Sequence, residues 1–261
     1  MKNQAGQVLL IVILLSTVLL TVGLSLIDIT ALDNKVTKIQ EDASKARAAA
    51  EAGIEAALND VSAESIDIGQ ILADSTISGT TTIELIEENA FTTPIISKDG
   101  QFTFYLTGYN PQTKTITAGT VDDDMTIERV LPTSAGYCSG DQAFAVEVTF
   151  ISASTGVVGR YMIDECPLIE GSTDEYAFGA IIPTSSISPE PNVMIMRVIA
   201  PSNDFDGARL RITNSTEGAQ WPAQGRTIIA TAQAGASNVT KKIKLFQSFP
   251  QFPAEFFVTS N

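Results

Sequence analysis

The sequence predicts an α+β protein: a long N-terminal helix, transmembrane then amphipathic, packed on a β-rich C-terminal domain. Three observations predict it. Residues 8–27 form a run of twenty without a charge. No proline precedes Pro94, and all eleven prolines lie from there on. From about Ser62, short β-branched and aromatic runs alternate with Gly, Pro, Asn and Ser, the pattern of strands and turns.

The charge-free run comes first. Twenty helical residues rise roughly 30 Å, the thickness of one hydrocarbon core. Its hydroxyls, Ser16, Thr17, Thr21 and Ser25, can bond back to the helix's own carbonyls. A cleaved secretory signal is the rival reading. Such signals have a shorter apolar core, about 7–15 residues, and an A-x-A site that is missing after Ile27. Lys2 is the one basic residue before the run and orients the N-terminus inward.

The helical pattern continues past the apolar run. Ile29, Leu32, Val36, Ile39, Ala43, Ala46 and Ala50 make one stripe of alternating three- and four-residue spacing. Charges fill the other faces, and Glu41 and Lys45 are ordered for an i,i+4 pair. One helix from about Gln7 to about Val61 is expected. Within "SKARAAAEAGIEAALND", residues 44–60, Ala49, Gly53 and Ala57 form a smooth ridge where another backbone can approach closely. Ile54, Leu58 and Val61 flank it.

The leader "MKNQAG", the apolar helix and "AAAEAGIEAAL" together resemble the N-terminus of type IV pilins, most nearly the PilX-type minor pilins and pseudopilins. The resemblance covers about the first sixty residues. It implies a leader peptide of residues 1–6, cut between Gly6 and Gln7 by a prepilin peptidase, with methylation of the processed chain. It also implies a single-pass bacterial inner-membrane protein, N-terminus inside, that moves into a cell-surface filament. Other pilin subunits would be its partners through the helix, together with the pilus assembly machinery. Major pilins carry glutamate at the fifth mature position, where this chain has Ile11. That difference implies a priming or tip role. The domains are then residues 1–6 (leader), 7–27 (transmembrane helix), 28–61 (amphipathic extension) and 62–261 (exported β-rich domain).

Strands are expected at 101–106, 125–131, 143–151, 157–163, 176–182, 193–200, 208–212, 227–232 and 241–246. The last two form a hairpin turning at Gly235. In "FAVEVTF" the alternation puts Phe144, Val146, Val148 and Phe150 on one face. From residue 61 onward there are 11 basic and 23 acidic side chains, and the whole chain carries −14. This balance disfavours a nucleic-acid partner, which needs a basic face. Cys138 and Cys166, 28 residues apart, are expected to be bridged if the domain is exported; two reduced core cysteines are the alternative.

Candidate chemistry is sparse. The chain has no histidine and no CxxC, so neither the commonest general base nor a four-ligand zinc set is present. "DDDM" (Asp122–Asp124) lacks the alternating oxygen spacing and closing glutamate of a calcium loop, and "NDFDG" (Asn203–Gly207) has oxygens at 203, 204 and 206 but is too short and common a stretch to carry a claim. Ser185, Ser186 and Ser188 sit in a Pro-rich loop without a base. Asn214 and Asn238 begin glycosylation sequons. The expectation is a non-enzymatic protein with no cofactor and no metal. The competing function is a permanently membrane-anchored binding or sensor domain on a helical stalk, with stripe 29–50 as a coiled-coil seam.

Overall fold

The computed structural model describes residues 5–60, 62–117, 119, 123–132, 138, 140–168, 175–235 and 237–252. Helix α1 spans Ala5–Asn59, 55 residues, and is therefore roughly 80 Å long. Asp60 N donates to Ala56 O at 3.0 Å and closes its last turn. Val61 lies outside the described residues.

Behind the helix, β1 (Ser65–Asp67), α2 (Ile68–Leu72) and β2 (Ile77–Leu85) follow in close order. None is expected from the sequence pattern. The turn α2 exists because Asp67 caps it: its Oδ1 accepts from Gly69 N at 2.9 Å. The strand β2 reads "ISGTTTIEL", Thr-rich with a glycine, and so lacks a bulky alternating face. The remaining strands are β3 (Ala90–Thr92), β4 (Gln101–Tyr105), β5 (Tyr109–Asn110), β6 (Thr115–Ile116), β7 (Met125–Leu131), β8 (Ala145–Ser152), β9 (Gly156–Ile163), β10 (Glu175–Tyr176), β11 (Ile181–Ile182), β12 (Val193–Ile199), β13 (Arg209–Asn214), β14 (Gly225–Ala234) and β15 (Val239–Ser248). The chain is thus α+β, with one long N-terminal helix and a β-rich remainder.

Two compact units divide the chain: residues 1–82 with 229–244, and residues 83–228 with 245–261. The expected break at 61/62 does not coincide with this division, because residues 62–82 and residues 229–244 of the β14–β15 hairpin group with the helix. In the first unit the strand order is β1-β2-β14-β15. The hairpin turns at Gly235, whose φ is +70°, a left-handed conformation that glycine adopts without steric cost. Gly79 matters in another way. A Cβ there would overlap Thr231 O and stand 2.8 Å from Ala232 Cα, so β2 can run against β14 only without a side chain at this point.

The second unit contains a five-stranded sheet, order β10-β9-β8-β12-β4, and a four-stranded sheet, order β11-β7-β13-β3. Pairing is antiparallel except for β10 on β9. One core joins their inner faces. Phe104, Val146, Val148, Phe150, Met194 and Met196 come from the first sheet, and Met125, Ile127, Leu210 and Ile212 from the second. Phe144 and the alternate residues 146, 148 and 150 are all fully buried there. Strand β8 also buries Ala145 and Ile151 on its other face.

The expected single strand 176–182 is two short strands in different sheets. Gly179, at φ +82°, breaks it and lets the chain switch sheets, its N–H donating to Ile127 O at 2.8 Å. Cys138 and Cys166 are bridged. Cys166 is buried at the edge of the core, whereas Cys138 is exposed.

A loop of 28 residues closed by this bridge implies about 3–4 kcal/mol of stabilisation on the chain-entropy model. Cys138→Ser/Cys166→Ser in the full chain in detergent is expected to lower the urea unfolding free energy by about that amount. Unchanged midpoints with and without reductant would contradict it.

Candidate functional site

The long helix divides into two halves with opposite surroundings. From Leu10 to Leu24 the described large apolar side chains are 53–66% exposed. Val12, Ile13, Leu14 and Leu15 are consecutive and cover a whole turn, so this half is bare on every side rather than along one groove. Ser16, Thr17 and Thr21 return their hydroxyls to Val12 O, Leu14 O and Val18 O at 2.8, 2.9 and 2.9 Å. The half therefore presents few unpaired polar groups. By length and composition it could cross a membrane.

Leu32, Val36 and Ile39 continue the exposure, at 60%, 51% and 49%. Burial begins at Asp42. From there Asp42, Ala46, Ala49, Ala50, Gly53, Ile54 and Ala57 are all buried, a single face at helical spacing. The stripe expected to run unbroken from 29 to 50 is thus divided. Its upper members Ala46 and Ala50 are covered within the chain, so they cannot serve a coiled-coil seam. The opposite face carries the Glu41–Lys45 pair at 2.8 Å and an Arg47–Glu51 pair at 2.8 Å. The Glu41 hydrogen bond and charge hold the Lys45 ammonium above its ordinary pKa.

Gly53 lies at a close approach. A Cβ there would overlap Thr81 Oγ1 of β2 and stand 3.0 Å from two carbons of Ile68. Ala49, at 1%, and Ala57, at 0%, flank it. The Thr81 hydroxyl is buried without a hydrogen-bond partner. A second close approach, at Asp42, is not expected from the sequence. Ser237 Oγ donates to the Asp42 carboxylate, and a Cβ on Gly235 would overlap that same carboxylate. Gly235 N in turn donates to Thr76 O at 3.1 Å. The readable signal was a lone acid on the small-residue face, four and seven residues before Ala46 and Ala49.

Gly6 and Gln7 fall in the first two turns of α1. Residues 1–4 lie outside the described residues, as does Asp122. Asp123 and Asp124 are engaged by protein groups: Asn214 Nδ2 donates to Asp123 at 3.0 Å, and Ser185 Oγ to Asp124 at 2.6 Å. Asn203 accepts from Lys98 Nζ at 2.8 Å, and Asp206 from Gln142 Nε2 at 3.2 Å. Among the described residues no group of three or more acidic, Cys or His side chains could hold a metal. Asn214 is buried and tied into this network, which leaves its amide no room for a glycan. No family model, curated protein or solved structure matches the chain.

Gly53→Ala is expected to destabilise the first unit by about 1–3 kcal/mol through overpacking, against a helix-propensity gain of up to about 1 kcal/mol. Adding Thr81→Ala should recover much of that loss by opening space. Urea midpoints of the wild type, both single variants and the double variant test it. Strict additivity would show that the two positions do not collide.

Proposed function

We propose that this chain is a minor pilin or pseudopilin, a non-enzymatic subunit of a type IV or type II secretion-like filament that assembles through its N-terminal helix. The observation that carries the reading is one continuous helix with a charge-free half bare on all sides and a far half seated in a folded unit. Such a helix can lie in a bilayer as a single-pass anchor and later exchange lipid for neighbouring helices, without refolding the part that seats it. Cleavage between Gly6 and Gln7, residence in the bacterial inner membrane, and the peptidase and assembly machinery belong to the same proposal. So does the placement of the β-rich part outside. Ile11 supports a priming or tip position. A repeated subunit would leave N-terminal amines uncompensated in an apolar bundle, and each such charge costs several kcal/mol.

The second reading is a permanently anchored binding or sensor domain. The exposed stripe Leu32, Val36 and Ile39 favours it, since these residues could pair with a partner helix. The mature N-terminus separates the two.

Sequencing the membrane and sheared-filament fractions is expected to find Gln7 first. Gly6→Leu is expected to retain the leader and remove the chain from filaments, because a peptidase must approach the backbone at that point. Normal Gln7 termini in Gly6→Leu, or wild-type chains beginning at Met1, would sink the pilin reading. Filaments built mostly of this chain would remove the tip role alone.

A further inference from the structure

Strand β4 is an edge of the five-stranded sheet, and its outer backbone groups are not left bare. Gln224, itself 4% exposed, lays its side-chain amide along Tyr105 as a neighbouring strand would. Its Oε1 accepts from Tyr105 N at 2.7 Å, and its Nε2 donates to Tyr105 O at 2.8 Å. Beyond it, residues 249–252 form a strap over the same edge. Gln251 Oε1 accepts from Thr103 N at 2.6 Å, and Phe252 N donates to Thr103 Oγ1 at 2.8 Å. Tyr105 Oη donates to Pro250 O at 2.7 Å, and Gln101 Nε2 donates to Phe252 O. Each of these four bonds has a side chain at one end, so the strap is seated on the edge without forming a strand.

The strap sequence explains the mode. "FPQFP" places Phe249 and Phe252 three residues apart, each followed by proline. Proline fixes φ near −65° and removes a ladder donor. An extended chain turning once in three residues puts both rings on one side. Both rings do face one aromatic floor. Phe249 lies 5.8 Å from Tyr105 and 4.9 Å from Tyr109, and Phe252 lies 6.3 Å from Tyr105. Pro250 and Gln251, between them, are exposed. Burial under the strap pushes the Tyr105 phenol well above its ordinary range. Rings in an aromatic groove, with the backbone read by fixed amides, is how protein grooves bind proline-bearing peptides.

We infer that the groove formed by Tyr105, Tyr109 and Gln224 is a recognition site for a Phe-Pro-x-Phe segment, filled here by the chain's own strap and able to take the same strap from a second copy by exchange. The second copy is the occupant because its strap carries the two rings, the spacing and the Gln251 amide that the groove already fits. Attachment in cis gives the resident strap an effective concentration on the order of millimolar. Exchange therefore belongs to crowded copies or to a weakened resident strap. The inference stands independently of the filament reading.

The test uses the full chain in detergent carrying Phe249→Ala and Phe252→Ala, with the synthetic peptide SFPQFP standing in for the second copy's strap. Amide exchange at Thr103, whose N–H the strap's Gln251 covers, is read with and without peptide. Saturable binding that slows this amide about tenfold or more is expected, with no effect from SAPQAP. Failure of SFPQFP to protect it at millimolar concentration overturns the inference. A second variant, the chain ending at Ser248, guards against misfolding of the first. If both variants lose the native fold, the strap is core and not a ligand, and the inference fails. A mixture of the double variant with Gln224→Ala, one supplying the intact groove and the other the intact strap, should form a heterodimer that neither forms alone. Its absence would confine the groove to the chain's own strap.

Discussion

The close approach of two side chains, Thr81 and Ile68, to the helix backbone at Gly53 governs how this helix is seated. The Thr81 hydroxyl of β2 comes so close to the helix that even a Cβ at position 53 would overlap it. That approach fixes which face of α1 is covered, and the small residues one turn either side, Ala49 and Ala57, extend it. Glycine in a helix interior costs about 1 kcal/mol relative to alanine. The position is tolerable because tight packing of the helix on the sheet offsets that loss.

Fixing the covered face also fixes what stays bare. Below Asp42 the described large apolar side chains of the helix are exposed, first Leu32, Val36 and Ile39 on one stripe and then, from Leu24 down to Leu10, on every side. This half is long and apolar enough to cross a membrane, by length and composition. Asp42 marks the boundary. It is an acid on the covered face, and it survives burial because a hydroxyl from the hairpin turn donates to its carboxylate. The same turn needs Gly235 twice, once for its left-handed φ and once for clearance over that carboxylate.

The second unit solves a different problem, the exposed sheet edge. A bare edge strand invites pairing with another chain. Here a buried glutamine amide takes the place of a neighbouring strand at Tyr105, and a proline-bearing strap covers the rest. The strap protects the edge and fills an aromatic groove at once. Protection by a segment that is not itself a strand leaves a recognition surface beneath it.

Much of the helix was determined by the sequence. The charge-free run, the missing prolines and the 3–4 spacing gave its existence and nearly its bounds, because helical periodicity is local. The alternation in "FAVEVTF" likewise gave the core face of β8, and Cys138 and Cys166 were the one pair available to bridge. The ridge Ala49, Gly53, Ala57 was legible as small, but not what it meets. Thr81 is 28 residues away in a strand whose threonines carry no strong alternation. Only the tertiary structure decided that the stripe changes surroundings at Asp42, that 176–182 divides between two sheets, and that hairpin residues 229–244 group with the helix. It also decided that Gln224 and Gln251 dress an edge. The physical reason is common to all four. Periodicity records which side of an element is apolar, whereas close approach, sheet switching and side-chain capping depend on which distant residue arrives opposite, and no local pattern encodes that.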